Sequence, residues 1–336
     1  ACSGCTSGGD DDVRERAMLR AVFILIIVFS CLSMIGSLFI LFCYWNFKSR
    51  RYIDHLTAGM GATSLGFGIA TCLPPNSSAA CKIQAFSIGF FGVSSILWAS
   101  AIAYVLQRVL LRCDDGFFVQ ITSAESTALM TKTLVVCLGL PILTALLPVF
   151  TGSAGRDDGG WCWVKNSTII DHVIRLLSGY LWIWASFVFN CVVLVRVLYD
   201  ADALKRKWGH DASPQDLKLL ESITRAKVFP LANVLAYFWP SVNRLCESFG
   251  ATLLWLELLH FTFASLTGFF NACALAYMMK AKVTRVVQAY SISLQELLLA
   301  REGEESDGKM RHERRAANDV EDVAKGANAD PGIVVG

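Results

Sequence analysis

Charged residues are scarce in this sequence. They make up 17% of its 336 residues, whereas soluble globular proteins carry about 25%. Hydrophobic residues account for 54% of the chain, and the mean hydropathy is +0.48. The net charge of +2 is small, and no basic stripe alternates with aromatic residues, which argues against a nucleic-acid partner. Because the charges cluster in the first 20 residues, the loops and the tail, the long uncharged stretches predict a membrane protein in contact with the lipid bilayer.

Motifs of common active sites are also missing. The sequence contains no His-Glu-x-x-His, no Gly-x-Ser-x-Gly, no phosphate-binding glycine loop and no paired carboxylates within an apolar stretch. No Cys/His spacing matches a zinc site, and most of the twelve cysteines lie inside apolar runs. The last apolar segment has no lysine before Lys280, which excludes a retinal Schiff base. We therefore predict no enzyme activity, no cofactor and no metal site.

Seven apolar segments can be distinguished, and each approaches the length of about 20 residues that a helix needs to cross a bilayer. Segment 3 carries no charge between Lys82 and Arg108, and we expect it to be the central helix of the bundle. The predicted fold is an all-α membrane protein, a bundle of seven transmembrane helices followed by an amphipathic helix on the inner leaflet. The segments cover residues 21–45, 55–73, 81–111, 131–150, 169–198, 228–245 and 253–279.

Two patterns predict how the chain is oriented. Asn76 and Asn166 begin glycosylation acceptor sequences in the loops after segments 2 and 4, which share one side of the membrane. The loops after segments 1, 3 and 5 are richer in Lys and Arg, as cytoplasmic loops are. We expect a multi-pass protein of the plasma membrane with its N-terminus outside and its C-terminus in the cytoplasm. The predicted parts are an extracellular segment (1–20), a receptor domain (21–279), an amphipathic helix (280–300) and a disordered tail (301–336).

Cysteines on the predicted outer side permit a disulfide. Cys81 begins segment 3, and Cys162 lies in the Gly-rich loop after segment 4. The extracellular environment is oxidising, so a bond between these two thiols is chemically allowed. Cys72, Cys246 and the two N-terminal cysteines are on the same side, and the sequence alone leaves other pairings open.

Polar residues within the predicted spans are candidates for a ligand site, because such groups are costly in lipid and tend to face the bundle interior. Two interpretations remain open, a ligand site or a structural network between helices. If the ligand carries a phosphate, Arg244 is the first candidate to bind it, and Arg175 is an alternative. The candidate residues are Tyr237 and Arg244 in segment 6, Glu257 and His260 in segment 7, and Lys82 and Lys165 near the mouth.

Basic residues around the third inner loop are candidates for contact with a G protein. Pro230 and Pro240 make segment 6 the element expected to move, and it would carry this loop with it. The alternative is that these charges only reflect the positive-inside rule. The candidates are Arg196, Lys205, Arg206, Lys207, Arg225 and Lys227.

Short motifs in four parts of the chain are similar to a known receptor family. The run Cys81-Lys-Ile-Gln-Ala-Phe, with Ser94-Ser-Ile-Leu-Trp98, resembles helix 3 of the cyclic-AMP receptor family, the slime-mould chemotaxis receptors and their relatives. Trp161-Cys-Trp163 resembles the second outer loop of that family, Asn243-Arg244 its sixth helix, and Gly268-Phe-Phe-Asn271 its seventh. The resemblance covers about residues 21–290.

This resemblance implies a G-protein-coupled receptor and a Cys81–Cys162 disulfide. The implied partners are a heterotrimeric G protein and an extracellular small-molecule or peptide ligand, with cyclic AMP as one candidate. The competing hypothesis is a seven-pass transporter or channel. A cavity closed at its inner end would favour the receptor, and a continuous polar path would favour transport.

Overall fold

The computed structural model describes residues 8–47, 52–74, 76–114, 123–156, 161–165, 167–208, 221, 224–248, 251, 253–280, 283, 284 and 291. The chain divides into two compact units, residues 1–280 and 281–336. Every helix and strand discussed below belongs to the first unit. The predicted amphipathic helix falls almost entirely outside the described residues, and the predicted tail does so completely, so both remain predictions.

All seven apolar segments are helical. Segment 1 is the helix Gly8–Asn46, segment 2 is Tyr52–Cys72, segment 3 is Ser78–Asp114 and segment 6 is Val228–Ser248. Segment 4 consists of Ser123–Leu134, a π turn over Val135–Gly139, and Leu140–Phe150. Segment 5 consists of Ile169–Arg175, a π turn over Leu176–Tyr180, and Leu181–Trp208. Segment 7 consists of Leu254–Ser265 and Thr267–Met278. Two short strands, β1 (Ala154–Arg156) and β2 (Cys162–Val164), form a hairpin between segments 4 and 5.

The helices of segments 1, 3, 4 and 5 are long and apolar enough to span a membrane, and segment 7 is a fifth such span if its two halves count as one. Those halves meet at a bend of 50°. Segments 2 and 6 do not reach the hydropathy of those spans. Each is a helix of 21 residues, which at about 1.5 Å per residue corresponds to roughly 30 Å, the thickness of the hydrocarbon core. Their polar residues are tolerated where neighbouring helices cover them.

The segments pack as a closed bundle. Segment 1 lies between segments 2 and 7, segment 6 between segments 5 and 7, and segment 4 packs on segment 3. Segment 3 contacts segments 2, 4, 5 and 6 and both strands of the hairpin. The prediction that segment 3 is the central helix is therefore confirmed.

The bend of segment 7 lies where that segment meets segment 1. The helix is interrupted at Leu266, and two residues later the amide of Gly268 donates a hydrogen bond of 2.8 Å to the Ser33 hydroxyl. A Cβ atom at Gly268 would lie only 2.6 Å from the Ser33 carbonyl oxygen. Because only glycine fits at this distance, the sequence allows the two backbones to approach closely, as small residues do between membrane helices.

Segment 1 begins earlier than its apolar run. The apolar residues start at Ala21, yet the helix starts at Gly8 and includes acidic residues 10–12. The part of this helix that suits a membrane span is Ile24–Asn46. Hydropathy therefore predicted the membrane span but not the start of the helix. The helix extends towards the N-terminus because residues 8–20 contain no proline to end it.

Candidate functional site

A disulfide joins Cys81, in the first turn of segment 3, to Cys162 in strand β2, with a Cα–Cα distance of 5.1 Å. The predicted bond is therefore present. Cys72 and Cys246 are both free thiols, which removes them as partners, while the two N-terminal cysteines lie outside the described residues. We call the end of the bundle that carries this bond the disulfide end.

The hairpin that carries Cys162 is short and antiparallel, with Ala154 opposite Val164 and Arg156 opposite Cys162. Its turn lies outside the described residues. Because β2 is tied covalently to segment 3, the hairpin is held over the disulfide end. Cys81, Ala154 and Cys162 also form an apolar cluster with Ala85 of segment 3.

Gln84, one helical turn after Cys81, is a second attachment of the hairpin. Its side-chain oxygen accepts a 2.9 Å hydrogen bond from the Cys162 amide. Its side-chain nitrogen donates to the carbonyl oxygens of Leu73, at 2.8 Å, and Ala70, at 3.2 Å, at the end of segment 2. Only 1% of Gln84 is exposed. This one side chain thus connects segment 2, segment 3 and β2.

The start of segment 5 holds the other side of the hairpin. Thr168 caps the helix and accepts from the Asp171 amide, while the Asp171 carboxylate accepts from the Thr168 amide at 3.0 Å. One turn later, Arg175 donates to the Val164 carbonyl at 2.5 Å, and its guanidinium lies 5.4 Å from the Trp163 ring centre. Arg175 is therefore occupied by the hairpin and does not line the cavity below it.

Beneath the hairpin, the disulfide end contains a cavity. Its empty volume is about 850 Å³, which includes the part open to solvent. Segments 2, 3, 5, 6 and 7 and strand β2 contribute to its wall. Seven of the 20 lining residues carry aromatic rings, and such rings suit a planar, largely apolar ligand. The aromatic and polar lining residues are Phe67, Thr71, Trp161, Trp163, Ser178, Tyr180, Tyr237, Arg244, His260, Phe261 and Ser265.

The π turn of segment 5 brings Ser178, Gly179 and Tyr180 to the cavity wall in succession. A π turn adds a residue to the helical turn and is common at functional sites. Ser178 is 1% exposed, and its hydroxyl has no hydrogen-bond partner in the described part of the chain. Because a buried hydroxyl without a partner is costly, a ligand group that bonds Ser178 would remove a penalty as well as add a contact.

Arg244 of segment 6 is the one Lys or Arg among the described residues that line this cavity. Its guanidinium donates to the Glu247 carboxylate at 2.5 Å and lies 5.1 Å from the Tyr180 ring centre. The Arg244 side chain is 14% exposed. Segments 5 and 6 therefore meet at the cavity through an aromatic ring and a paired cation.

His260 connects segment 7 to the same group of polar side chains. The Asn243 side-chain nitrogen lies 3.1 Å from His260 Nδ1 and donates to Glu247 at 2.8 Å. The His260 ring stacks on Phe261, and Phe261 meets Trp161 of the hairpin edge-on at 4.6 Å. The network therefore runs from the hairpin through segment 7 to segment 6.

The structure brings three of the six candidate ligand residues together. Arg244, His260 and Tyr237 line the cavity. The other three do not line it: Glu257 is half-buried in segment 7, and Lys82 and Lys165 are exposed. Lys165 donates to the Gly152 carbonyl at 3.1 Å.

Sequence reasoning overlooked Glu247, Tyr180 and Ser178. Arg244 and Glu247 are separated by three residues on a helix, a spacing at which side chains form ion pairs. This spacing could have predicted Glu247 as the partner of Arg244. Ser178 and Tyr180 reach the wall through a π turn, which shifts the helical phase and is not visible in apolar periodicity.

The candidate G-protein contacts lie at the opposite end of segments 5 and 6. Arg196 and Arg206 are exposed, Lys227 is half-buried, and Arg225 forms an ion pair with Glu221. The side chains of Lys205 and Lys207 are not described. For the glycosylation candidates, Asn76 is exposed and Asn166 lies outside the described residues.

Two apolar clusters lie between the cavity and the opposite end. Ile96, Ala236 and Tyr237 form the first cluster, directly at the cavity floor. The second joins segments 3 and 5 to the start of segment 6 and consists of Ala103, Leu106, Val193, Val197, Ala201 and Ala226. Within the residues that the structure describes, no group of three His, Cys, Asp or Glu side chains is arranged to bind a metal.

Comparison with known proteins gives consistent results. Residues 12–313 match the slime mold cyclic AMP receptor family. G-protein coupled receptor 1 of Arabidopsis thaliana is 24% identical over 290 residues, 84% of each chain. Cyclic AMP receptor-like protein A of Dictyostelium discoideum is 28% identical over 170 residues, 50% of this chain and 42% of that protein. The crystal structure of squid rhodopsin has a similar fold, with a TM-score of 0.62 and 15% identity over 83% of this chain and 87% of that one. The fold is that of a rhodopsin-like helical membrane protein, and the chain belongs to the slime mold cyclic AMP receptor family.

Proposed function

We propose that this protein is a G-protein-coupled receptor of the plasma membrane, which binds a small extracellular ligand at the disulfide end and activates a heterotrimeric G protein at the opposite end. The observation that carries this proposal is the aromatic cavity, which is covered by a disulfide-tethered hairpin and closed inward by apolar side chains. Family membership and the rhodopsin-like fold support it.

The cavity favours a ligand with a planar ring and one anionic group. The rings of Trp161, Tyr180 and Phe261 supply flat apolar contact, and Arg244 supplies a positive charge. Cyclic AMP has a purine ring and a single negative phosphate, and the name of the Dictyostelium relative makes it the first ligand to test. Glu247 disfavours the binding of cyclic AMP, because the phosphate must share Arg244 with this carboxylate.

Signal transfer requires that ligand binding favour one arrangement of the helices over another. Pro240 lines the cavity and lies inside the helix of segment 6, where proline removes a backbone hydrogen bond and permits bending. The same helix begins at Val228, next to Arg225 and Lys227. A ligand that contacts Arg244 and Tyr180 bridges segments 6 and 5, so its binding energy acts on the contact between these two helices.

A transporter or channel is the competing function. One observation in its favour is a buried polar group between the two apolar clusters: Asn190 donates to Ser100 at 2.9 Å, and Ser100 bonds to Ser186. These groups are bonded to one another, however, and apolar side chains lie on both sides of them. The arrangement favours a structural polar layer and a receptor.

The decisive experiment is ligand-stimulated nucleotide exchange on co-expressed G proteins, screened with cyclic nucleotides and small peptides. If an anionic ligand pairs with Arg244, R244Q should lower its potency by roughly 10–150-fold, because a charge-assisted hydrogen bond contributes about 1.5–3 kcal/mol. K82Q is the matched control: it removes a positive charge from the same end of the bundle but outside the cavity. Absence of exchange with every ligand, together with solute flux in liposomes, would reject the receptor and favour the transporter.

A further inference from the structure

Segments 1 and 2 pack closely near the disulfide end. The hydroxyls of Ser30 and Thr71 are buried and hydrogen-bonded at 3.1 Å. One helical turn away, a Cβ atom at Gly68 would lie 2.6 Å from Met34 Cγ. Since residue numbers rise in one helix as their partners fall in the other, the two helices run antiparallel.

Cys31 and Cys72 are the residues that directly follow the bonded pair Ser30 and Thr71. Each step along a helix rotates by about 100°. In an antiparallel pair these rotations bring the next residue of each helix to the same flank of the contact. Cys31 is exposed and Cys72 is half-buried, and both thiols are free.

We propose that Cys31 and Cys72 form a second, oxidisable cysteine pair that joins segment 1 to segment 2 as a disulfide when the protein meets hydrogen peroxide. Cys72 is the last residue of its helix, at the end that the proposed orientation places outside the cell, where disulfides persist. Neither residue lines the cavity, so the pair is separate from the ligand site.

The reaction needs only the two thiols and one peroxide. One thiol loses its proton and attacks an oxygen of hydrogen peroxide, which breaks the O–O bond and gives a sulfenic acid and water. The second thiol then attacks this sulfur, forms the S–S bond and releases a second water. Two thiols are oxidised by two electrons in total, and one peroxide is reduced to two waters.

The bond would fix one side of the bundle. Segment 1 packs against segment 7 through Ser33 and Gly268 and against segment 2 through Ser30 and Thr71. Oxidation therefore restrains segment 2 against the helix that also supports the bend of segment 7. Segments 5 and 6, which carry Arg244 and its neighbours, are not tied by the bond.

Peptide mapping of the full chain tests the proposal. Trypsin places Cys72 and Cys81 on one peptide, 52–82, which the first disulfide joins to peptide 157–165. After treatment with hydrogen peroxide, alkylation of the remaining thiols and digestion without reduction, we expect peptide 21–48 to join this pair as a three-peptide species. Because the first disulfide is part of the same species, the assay also reports that the protein was folded.

Three variants assign the bond, since peptide 21–48 also contains Cys43. C31S and C72S should abolish the three-peptide species, and C43S should retain it. Two results would overturn the proposal. One is a C43S variant that loses the species. The other is a wild-type protein that yields only the two-peptide species at a peroxide dose that oxidises the exposed Cys273 or converts Cys31 to sulfinic acid.

Discussion

Gln84 provides a sensitive test of how the hairpin is held over the cavity. In Q84M the side chain keeps its length but loses all three hydrogen bonds. The Ala70 carbonyl still accepts a hydrogen bond from the Leu73 amide at 3.4 Å. The Cys162 amide and the Leu73 carbonyl are the two groups that lose their hydrogen bond to Gln84. A buried polar group without a partner costs about 1–3 kcal/mol. The bond of the Cys162 amide is buried, whereas Leu73 is 40% exposed and its bond is only part-buried. The loss of the Cys162 bond therefore sets the expected decrease in the free energy of unfolding, about 1–3 kcal/mol.

Thermal unfolding of the purified receptor, followed by a thiol-reactive dye, measures this effect. At about 2–4 °C per kcal/mol, the unfolding midpoint of Q84M should fall by roughly 2–12 °C. Q107M is the matched control: it makes the same change on the same helix, at a partly exposed position far from the hairpin. If Q84M unfolds at the midpoint of Q107M while the first disulfide remains intact, the three hydrogen bonds do not hold the hairpin and the reasoning is wrong.

Two further perturbations follow from the packing. Replacing both Cys81 and Cys162 by Ser opens a link across 81 residues, which a chain-entropy estimate values at about 4.5 kcal/mol. Dithiothreitol should therefore lower the midpoint of the wild type and leave that of the double variant unchanged. G268A should destabilise the protein by about 1–3 kcal/mol, because its Cβ would overlap the Ser33 backbone. G139A, where nothing lies within 4 Å of a new Cβ, should unfold no earlier than the wild type.

Apolar length and motif similarity predicted the helices and the central position of segment 3, because both depend on local sequence. The Cys81–Cys162 bond was predicted by the resemblance, while the residues alone left Cys72 and Cys246 as alternatives. Glu247 was overlooked even though its spacing from Arg244 fits a helical ion pair. The break of segment 7 at Leu266 has no proline to mark it, and it depends on contact with segment 1.

By itself, the sequence determined that this chain is a helical membrane protein. That property follows from hydropathy, which acts residue by residue over each segment. Only the tertiary structure decided which polar groups share the cavity: Arg244 and His260 reach it, while Glu257 on the same segment as His260 does not. The reason for Glu257 is its position one turn before His260, nearer the start of the helix Leu254–Ser265 than any lining residue of that segment. The reason for Ser178 and Tyr180 is rotational phase. One π turn or one bend changes the direction in which every following side chain points, and the packing of neighbouring helices sets where such irregularities are stable.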